Sequence, residues 1–526
     1  MSHPPISTTP SSLARAPDIR HCRPSPQRTA TWLLLGIGSL FAGAAAFAAE
    51  PPALPTAEPH SRPLNWRIGA ERLQLPGNET LGLVGVSTLF GIGNGWQVGP
   101  VVYGAASGQR GGLFVIGGEA LWRTAGPWGS RVEAGLAVGG GGGAALPVGS
   151  GLMLRPHLDW SWPVGPGWLG VSASRVSFPD GRIGSNQIGL VFSVDDQFRY
   201  QAAGSTASGN GARNGFGFDR FWLNVGQYRV GDGSNPGYGG LRADHWLSPG
   251  TYASLEAAGA AQGGADGYAE LLVGIGKEWP LWQAMGNGTS APHLGVRAAL
   301  GMAGGGAVDT GGGALVKLAG TARWDLPNDI VLGLEAGRTL APDGRFRANH
   351  LQVSLGFTLD RPTASNPSNA DLPLRRDDAE WGAVLGHFPQ MDFRNGSSDE
   401  VQTIGIRMRR PLSAALDEHL QLTGGIHFAA GGKAGAYGAG LIGLAWATPL
   451  RQTGLQWGVE LLAGAAGGGG IDSPGGAVVQ PMARIGWADG AQRWQLGVGQ
   501  IESIKGRLSS PVVELSYSVA FGAARR

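Results

Sequence analysis

The chain has 526 residues, of which 93 are glycine, one is cysteine and 15% are charged, with a formal net charge of +2 at pH 7. Residues 1–48 hold Arg15, Arg20, Arg23 and Arg28 against Asp18, so the remainder carries about −1, which excludes an electrostatic nucleic-acid binder. Apolar residues spread along the whole length exclude a disordered polar chain, the glycines lack the three-residue period of collagen, and one cysteine excludes a disulfide framework.

In chain order, the first feature is the run "TATWLLLGIGSLFAGAAAFA", 29–48, preceded by arginines and closed by Ala46-Phe47-Ala48. It reads as a secretory signal peptide over 1–48 with a long n-region. The run is also long enough for a single membrane anchor, but its Gly/Ala-rich second half and small-x-small ending favour cleavage. Cys22 lies upstream, so the exported protein is expected to have no thiol chemistry. A proline-rich leader follows over 49–64, and no later stretch approaches 18 uninterrupted apolar residues.

From Trp66 onward the chain alternates with period two between Gly, Pro, Asn and Asp turns. "SRVEAGLAV", 130–138, places Val132, Ala134, Leu136 and Val138 on one face and Arg131, Glu133 and Gly135 on the other. "VELSYSVAF", 513–521, opposes Val513, Leu515, Tyr517, Val519 and Phe521 to Glu514, Ser516 and Ser518. The pattern recurs in three units, 65–198, 219–360 and 379–526, with linkers at 199–218 and 361–378. Each unit opens on a tryptophan strand ("NWRIGAE", "FWLNVGQ", "EWGAVLG") and carries a glycine-rich fifth strand. Each sixth strand ends at a tryptophan: Trp160, Trp324 or Trp487. A Gly-Arg turn joins strands seven and eight in "FPDGRIG", "APDGRFR" and "SIKGRLS", with Gly181, Gly344 and Gly506 spaced by 163 and 162 residues.

Soluble sandwiches, a propeller and a bilayer-spanning sheet all fit alternation as such. Segments of roughly 11–15 residues suit a membrane strand, which needs about 9–11, better than the usual globular strand. Short connections ("GNG", "GPWG", "PVGPG") alternate with long glycine-rich ones, as in an up-and-down barrel with short turns on one side and outer loops on the other. Tryptophans cluster at the unit starts and the short turns, one rim of such a barrel, where indole settles at a membrane–water boundary. With these marks the chain resembles, at class level, the bacterial outer-membrane β-barrel proteins of Gram-negative bacteria. The resemblance implies outer-membrane localisation, contact with outer-membrane lipid and lipopolysaccharide, and insertion by a barrel-assembly machinery that reads a final-strand aromatic, here Phe521. The "GAARR" after Phe521 departs from that pattern.

The expected fold is thus all-β, a transmembrane up-and-down antiparallel barrel built from three repeats of about eight strands. One large barrel of about 24 strands is the leading expectation, with three eight-stranded barrels the alternative. The expected function is a non-enzymatic outer-membrane pore, a porin or export channel for small solutes or a polymer. Its selectivity would come from lumen-facing Arg131, Glu133, Arg155, Lys317, Arg323, Glu335, Glu460 and Arg484. The alternative is a non-conducting structural or surface-interaction protein displaying repeated outer loops. Gly117, Gly135, Ala137, Ser172 and Ser193, on inward positions, suit a filled interior and favour it. Arg182, Arg345 and Arg507 on the repeated loops could face an anionic sugar or lipid, or simply follow a turn chosen for its backbone. No cofactor, metal set or catalytic motif is expected: G-x-S-x-G and H-E-x-x-H are missing. "RPHLDW" places His157 with Arg155 and Asp159, which reads as a polar network; an acyl-modifying enzyme would have to be centred there. No protein partner is legible.

Overall fold

In a computed structural model the described residues are 60–205, 215–231, 235–281, 292–363, 365–412 and 417–526. The expected signal peptide, Cys22, most of the leader and Trp282 lie outside them. Among the described residues, twenty-four antiparallel strands form three separate closed barrels. The first comprises β1 (His60–Gln74), β2 (Thr80–Gly93), β3 (Trp96–Gly108), β4 (Phe114–Ala125), β5 (Arg131–Gly142), β6 (Leu152–Val164), β7 (Gly167–Ser177) and β8 (Gly184–Tyr200). The second comprises β9 (Arg220–Val230), β10 (Gly237–Ser248), β11 (Thr251–Gln262), β12 (Ala269–Pro280), β13 (His293–Gly304), β14 (Ala314–Asp325), β15 (Ile330–Leu340) and β16 (Arg347–Thr358). The third comprises β17 (Arg375–Asp392), β18 (Ser398–Pro411), β19 (Leu420–Gly432), β20 (Gly438–Ala447), β21 (Gly454–Gly467), β22 (Ala477–Asp489), β23 (Gln492–Ser503) and β24 (Ser509–Arg525).

The chain closes three times, as in the alternative, and the single barrel of about 24 strands does not form. In each unit the first strand pairs with the last, as in Trp66↔Val194, Leu223↔Leu355 and Trp381↔Val519. Interior chemistry explains the choice. Towards the long-loop rim the inward residues are apolar: Leu73, Leu83, Val101 and Val115 in barrel 1, Phe388, Val401 and Ile501 in barrel 3. A wide lumen would wet them, whereas an eight-stranded barrel packs them against one another.

The exterior is the reverse of a water-soluble surface. Ile188, Leu190, Val225, Leu300 and Leu461 are 61–78% exposed, while charges sit within. Lipid is the solvent that suits this inversion, and closure leaves no unpaired strand edge. Trp96, Trp122, Trp128, Trp279, Trp324, Trp487 and Trp494 are exposed near the short-turn rim. Trp222 departs from this belt: unlike Trp66 and Trp381 it points into its barrel and donates to Asp244 at 2.7 Å. A one-residue difference in register reverses the face.

The barrels form a ring of three. Barrel 1 meets barrel 3 through β5 and β19, barrel 2 meets barrel 1 through β13 and β3, and barrel 3 meets barrel 2 through β21 and β11. Each contact thus joins a fifth strand to a third strand, a head-to-tail interface that closes after three steps. At the short-turn rim Phe521 is covered by Phe198 of barrel 1, ring centroids 5.1 Å apart. The "GAARR" extension continues β24 against β17. Arg525 there donates to Phe218 O, and the Arg526 amide donates to Asp360 at 2.7 Å, tying the extension to the segments that flank barrel 2.

Candidate functional site

Two regions concentrate chemistry: the barrel interiors and the caps over the long-loop rim. In barrel 1, alternation brings Arg67 of β1 between Glu133 of β5 and Asp159 of β6, each at 2.5 Å, with Glu119 of β4 at 3.7 Å. His157 is engaged on both ring nitrogens, Nδ1 with Asp159 at 3.0 Å and Nε2 with Glu119 at 3.2 Å. Its side chain is fully buried, so it has neither a free nitrogen to act as a base nor access to a substrate. It is a member of a polar network. Arg155 makes a bidentate pair with Glu71 at 2.9 and 3.0 Å. Arg131 reaches Glu133 at 3.0 Å and lies over the Trp168 ring at 4.6 Å.

Barrel 2 repeats the principle with other residues. Arg220 and Arg323 share Glu278, at 2.8 and 2.9 Å. Arg242 and Arg297 share Glu335, at 2.9 and 3.1 Å, and Lys317 bridges Glu256 and Glu270 at 2.9 and 2.8 Å. In barrel 3, Glu380 receives Arg409, Glu460 receives Arg407 and Arg484 at 2.6 and 2.8 Å, and Arg484 also reaches Glu514. A cavity of about 20 Å³ lies beside Arg407, Glu460, Arg484 and Glu514, the size of one water. Thus Arg131, Glu133, Arg155, Lys317, Arg323, Glu335, Glu460 and Arg484 lie inside their barrels in buried ion pairs. Arg67, Glu71, Arg242, Glu256, Arg297, Glu380, Arg407 and Arg409 complete these networks without lying in any motif. Strand parity carried the signal for several: Asn65, Arg67 and Glu71 alternate with Trp66, Ile68 and Ala70 along β1.

Above these networks each lumen ends in an apolar cluster and a cap. The loop between strands five and six folds over the barrel and is held by the repeated Gly-Arg turn. The Arg182 amide donates to Pro147 O at 2.9 Å, that of Phe346 to Asp309 O at 2.9 Å and that of Leu508 to Asp472 O at 3.1 Å. A β-carbon on Gly181, Gly344 or Gly506 would lie 2.4, 2.4 or 2.5 Å from those same carbonyl oxygens. The turn recurs because only glycine lets the cap close. Arg345 donates to Asp309 and Arg507 to Asp472, both at 2.7 Å, while Pro147 stands at the corresponding place facing Arg182. The hydrogen bond from Arg345 holds Asp309 below the usual carboxylate range. Two of the three loop arginines are therefore engaged by their own caps. Gly344→Val is expected to free the second cap: hydrogen exchange at Thr310–Gly313 should quicken by about tenfold or more while the barrel ladder stays protected. Unchanged exchange there would contradict the latch.

No family model and no curated protein matches the chain. Solved structures to which it is similar are bacterial outer-membrane β-barrel proteins. The siderophore receptor PirA of Pseudomonas aeruginosa matches over 87% of this chain and 80% of its own, at 9% identity and TM-score 0.25. OpdQ of Pseudomonas aeruginosa matches over 89% and 98%, at 10% identity and TM-score 0.21. The outer membrane channel DcaP of Acinetobacter baumannii matches over 89% and 98%, at 10% identity and TM-score 0.19. At such scores the likeness carries no argument about activity.

Proposed function

We propose that this chain is an exported outer-membrane protein that spans the bilayer as three filled barrels and works through the capped face they present, without enzymatic turnover or steady conduction. One observation carries this reading: the long-loop half of every lumen is filled by buried side chains, apolar in barrel 1 (Leu73, Leu83, Val101, Phe178) and in barrel 3 (Phe388, Tyr437, Ile501), while in barrel 2 Tyr228, Tyr238, Tyr268 and Phe346 close around the Lys317–Glu270 pair. Ions do not cross such a layer without displacing it. In outer-membrane barrels the short turns lie on the periplasmic side, so the caps at the opposite rim face outward.

A second reading, a pore for small solutes, draws on the shorter-turn half of each lumen. There charges such as Arg407, Glu460 and Arg484 would line a polar path if the apolar layer opened. Planar-bilayer recording of the refolded protein separates the two. The expected result is a silent bilayer from protein shown to be inserted and heat-modifiable. Steady, large conductance steps would instead establish the pore and sink the filled-barrel reading.

A further inference from the structure

Above the aliphatic band, the outward faces of barrels 1 and 2 carry arginines that make no ion pair with a carboxylate among the described residues. In barrel 2, Arg338 of β15 lies directly across the ladder from Asn349 of β16, and Asn349 directly across from Arg229 of β9. Arg347 stands two residues from Asn349 on the same face, and all four side chains are exposed. Barrel 1 repeats the arrangement. Arg175 of β7 faces Asn186 of β8 and donates to its side chain at 3.1 Å. Arg72 of β1 lies near by on the same outward face and donates to Thr80 at 3.0 Å. Relative to the Gly-Arg turns, Arg175 and Arg338 occupy the same position, as do Asn186 and Asn349. In barrel 3 those positions are Gln500 and Pro511.

None of Arg72, Arg175, Arg229, Arg338 and Arg347 makes an ion pair with a described carboxylate, although every arginine in the described lumens does. Beneath the barrel 2 cluster the same face continues into Leu351, Val353 and Val225, each more than half exposed. Beneath the barrel 1 cluster it forms a groove of about 530 Å³, lined by Arg72, Ala70, Gly82, Val171, Ile188 and Leu190. A guanidinium at the head of an aliphatic groove matches one kind of molecule: an anionic headgroup with acyl chains. The planar fork suits phosphate oxygens, and the asparagine amide adds a neutral donor between the cations.

We propose that these two arginine–asparagine clusters bind the phosphate groups of a phosphorylated glycolipid in the leaflet on the capped side, its acyl chains lying over the aliphatic residues below. The proposal rests on the membrane-spanning reading above. It also places the lipid contacts on two barrels of three, so the ring would be asymmetrically dressed.

The test uses the full mature chain, refolded into phosphatidylcholine vesicles containing diphosphoryl lipid A or its dephosphorylated form. Lipid retained after detergent extraction is quantified by mass spectrometry. The wild type is expected to retain the diphosphoryl form about tenfold better than the dephosphorylated one, a preference that the triple variant Arg229→Gln, Arg338→Gln, Arg347→Gln reduces and further loss of Arg72 and Arg175 abolishes. Equal retention by the five-fold variant, inserted and heat-modifiable, would overturn the lipid site alone. So would displacement of the lipid by millimolar inorganic phosphate, which would mark a site for the free anion. Failure of the wild type to insert into plain phosphatidylcholine vesicles would instead overturn the membrane-spanning reading itself.

Discussion

Replacing Arg67 by leucine is expected to destabilise barrel 1 by about 3–5 kcal/mol, because it leaves Glu119, Glu133 and Asp159 buried without the cation at their centre. The acids converge from three strands, β4, β5 and β6, on a residue of β1, so the change strikes the strand that closes the barrel. Arg123 and Arg131 still hold Glu133, at 2.8 and 3.0 Å, and His157 still touches Asp159 and Glu119. No other cation of the lumen, however, contacts all three acids. The measurement is urea unfolding of the refolded protein in vesicles, followed by heat-modifiable mobility. Arg67→Leu combined with Glu119→Gln and Asp159→Asn should recover part of the loss, since it neutralises the two acids that keep no arginine while Glu133 keeps Arg123 and Arg131. A single-variant shift below about 1 kcal/mol would mean that the network is not what fills the lumen.

The second large effect is expected between barrels. Gly151, Gly313 and Gly476 occupy corresponding positions after the fifth strand, with φ of +90°, +97° and +84°. A β-carbon on each would fall 2.5, 2.4 and 2.3 Å from the carbonyl oxygen of Ala429, Ala105 and Ala260 in the neighbouring barrel. Around these points backbones meet directly, as where the Gly111 amide donates to Gly311 O at 2.7 Å. Small residues are what allow elements to associate in lipid, where no hydrophobic drive favours contact between proteins. Valine at all three glycines should therefore part the barrels at the long-loop rim while leaving each ladder closed. Spin labels on the exposed positions Arg182 and Arg345 report this by pulsed EPR: a narrow distance distribution in the wild type should broaden and lengthen in the triple variant. An unchanged distribution would show that the linkers and the Phe198–Phe521 contact hold the ring without the glycines.

Much of this was legible along the chain. Alternation in "SRVEAGLAV" and "VELSYSVAF" gave the inward and outward faces of β5 and β24, and the repeated turns gave the threefold architecture. The roles of the glycine runs were not legible, because a glycine that admits a neighbouring barrel looks the same in sequence as one in a free loop. The parity of Trp222 is not legible for a related reason. A tryptophan at the start of a unit is compatible with either face, and its partner Asp244 lies on the next strand, where only the register of β9 on β10 brings them together.

The sequence by itself determined the class of sheet, the number of repeats and which side chains share a face, because a period of two is set by the backbone within a few residues. Tertiary structure alone decided how many barrels close and what fills them. Pairing of β1 with β8, instead of β24, joins residues more than a hundred positions apart, and local alternation is satisfied equally by both. What separates them is interior volume. Eight strands leave room only for the side chains that Leu73, Arg67, Glu133 and their counterparts supply, and in that narrow space apolar groups stay dry and each buried charge meets its partner.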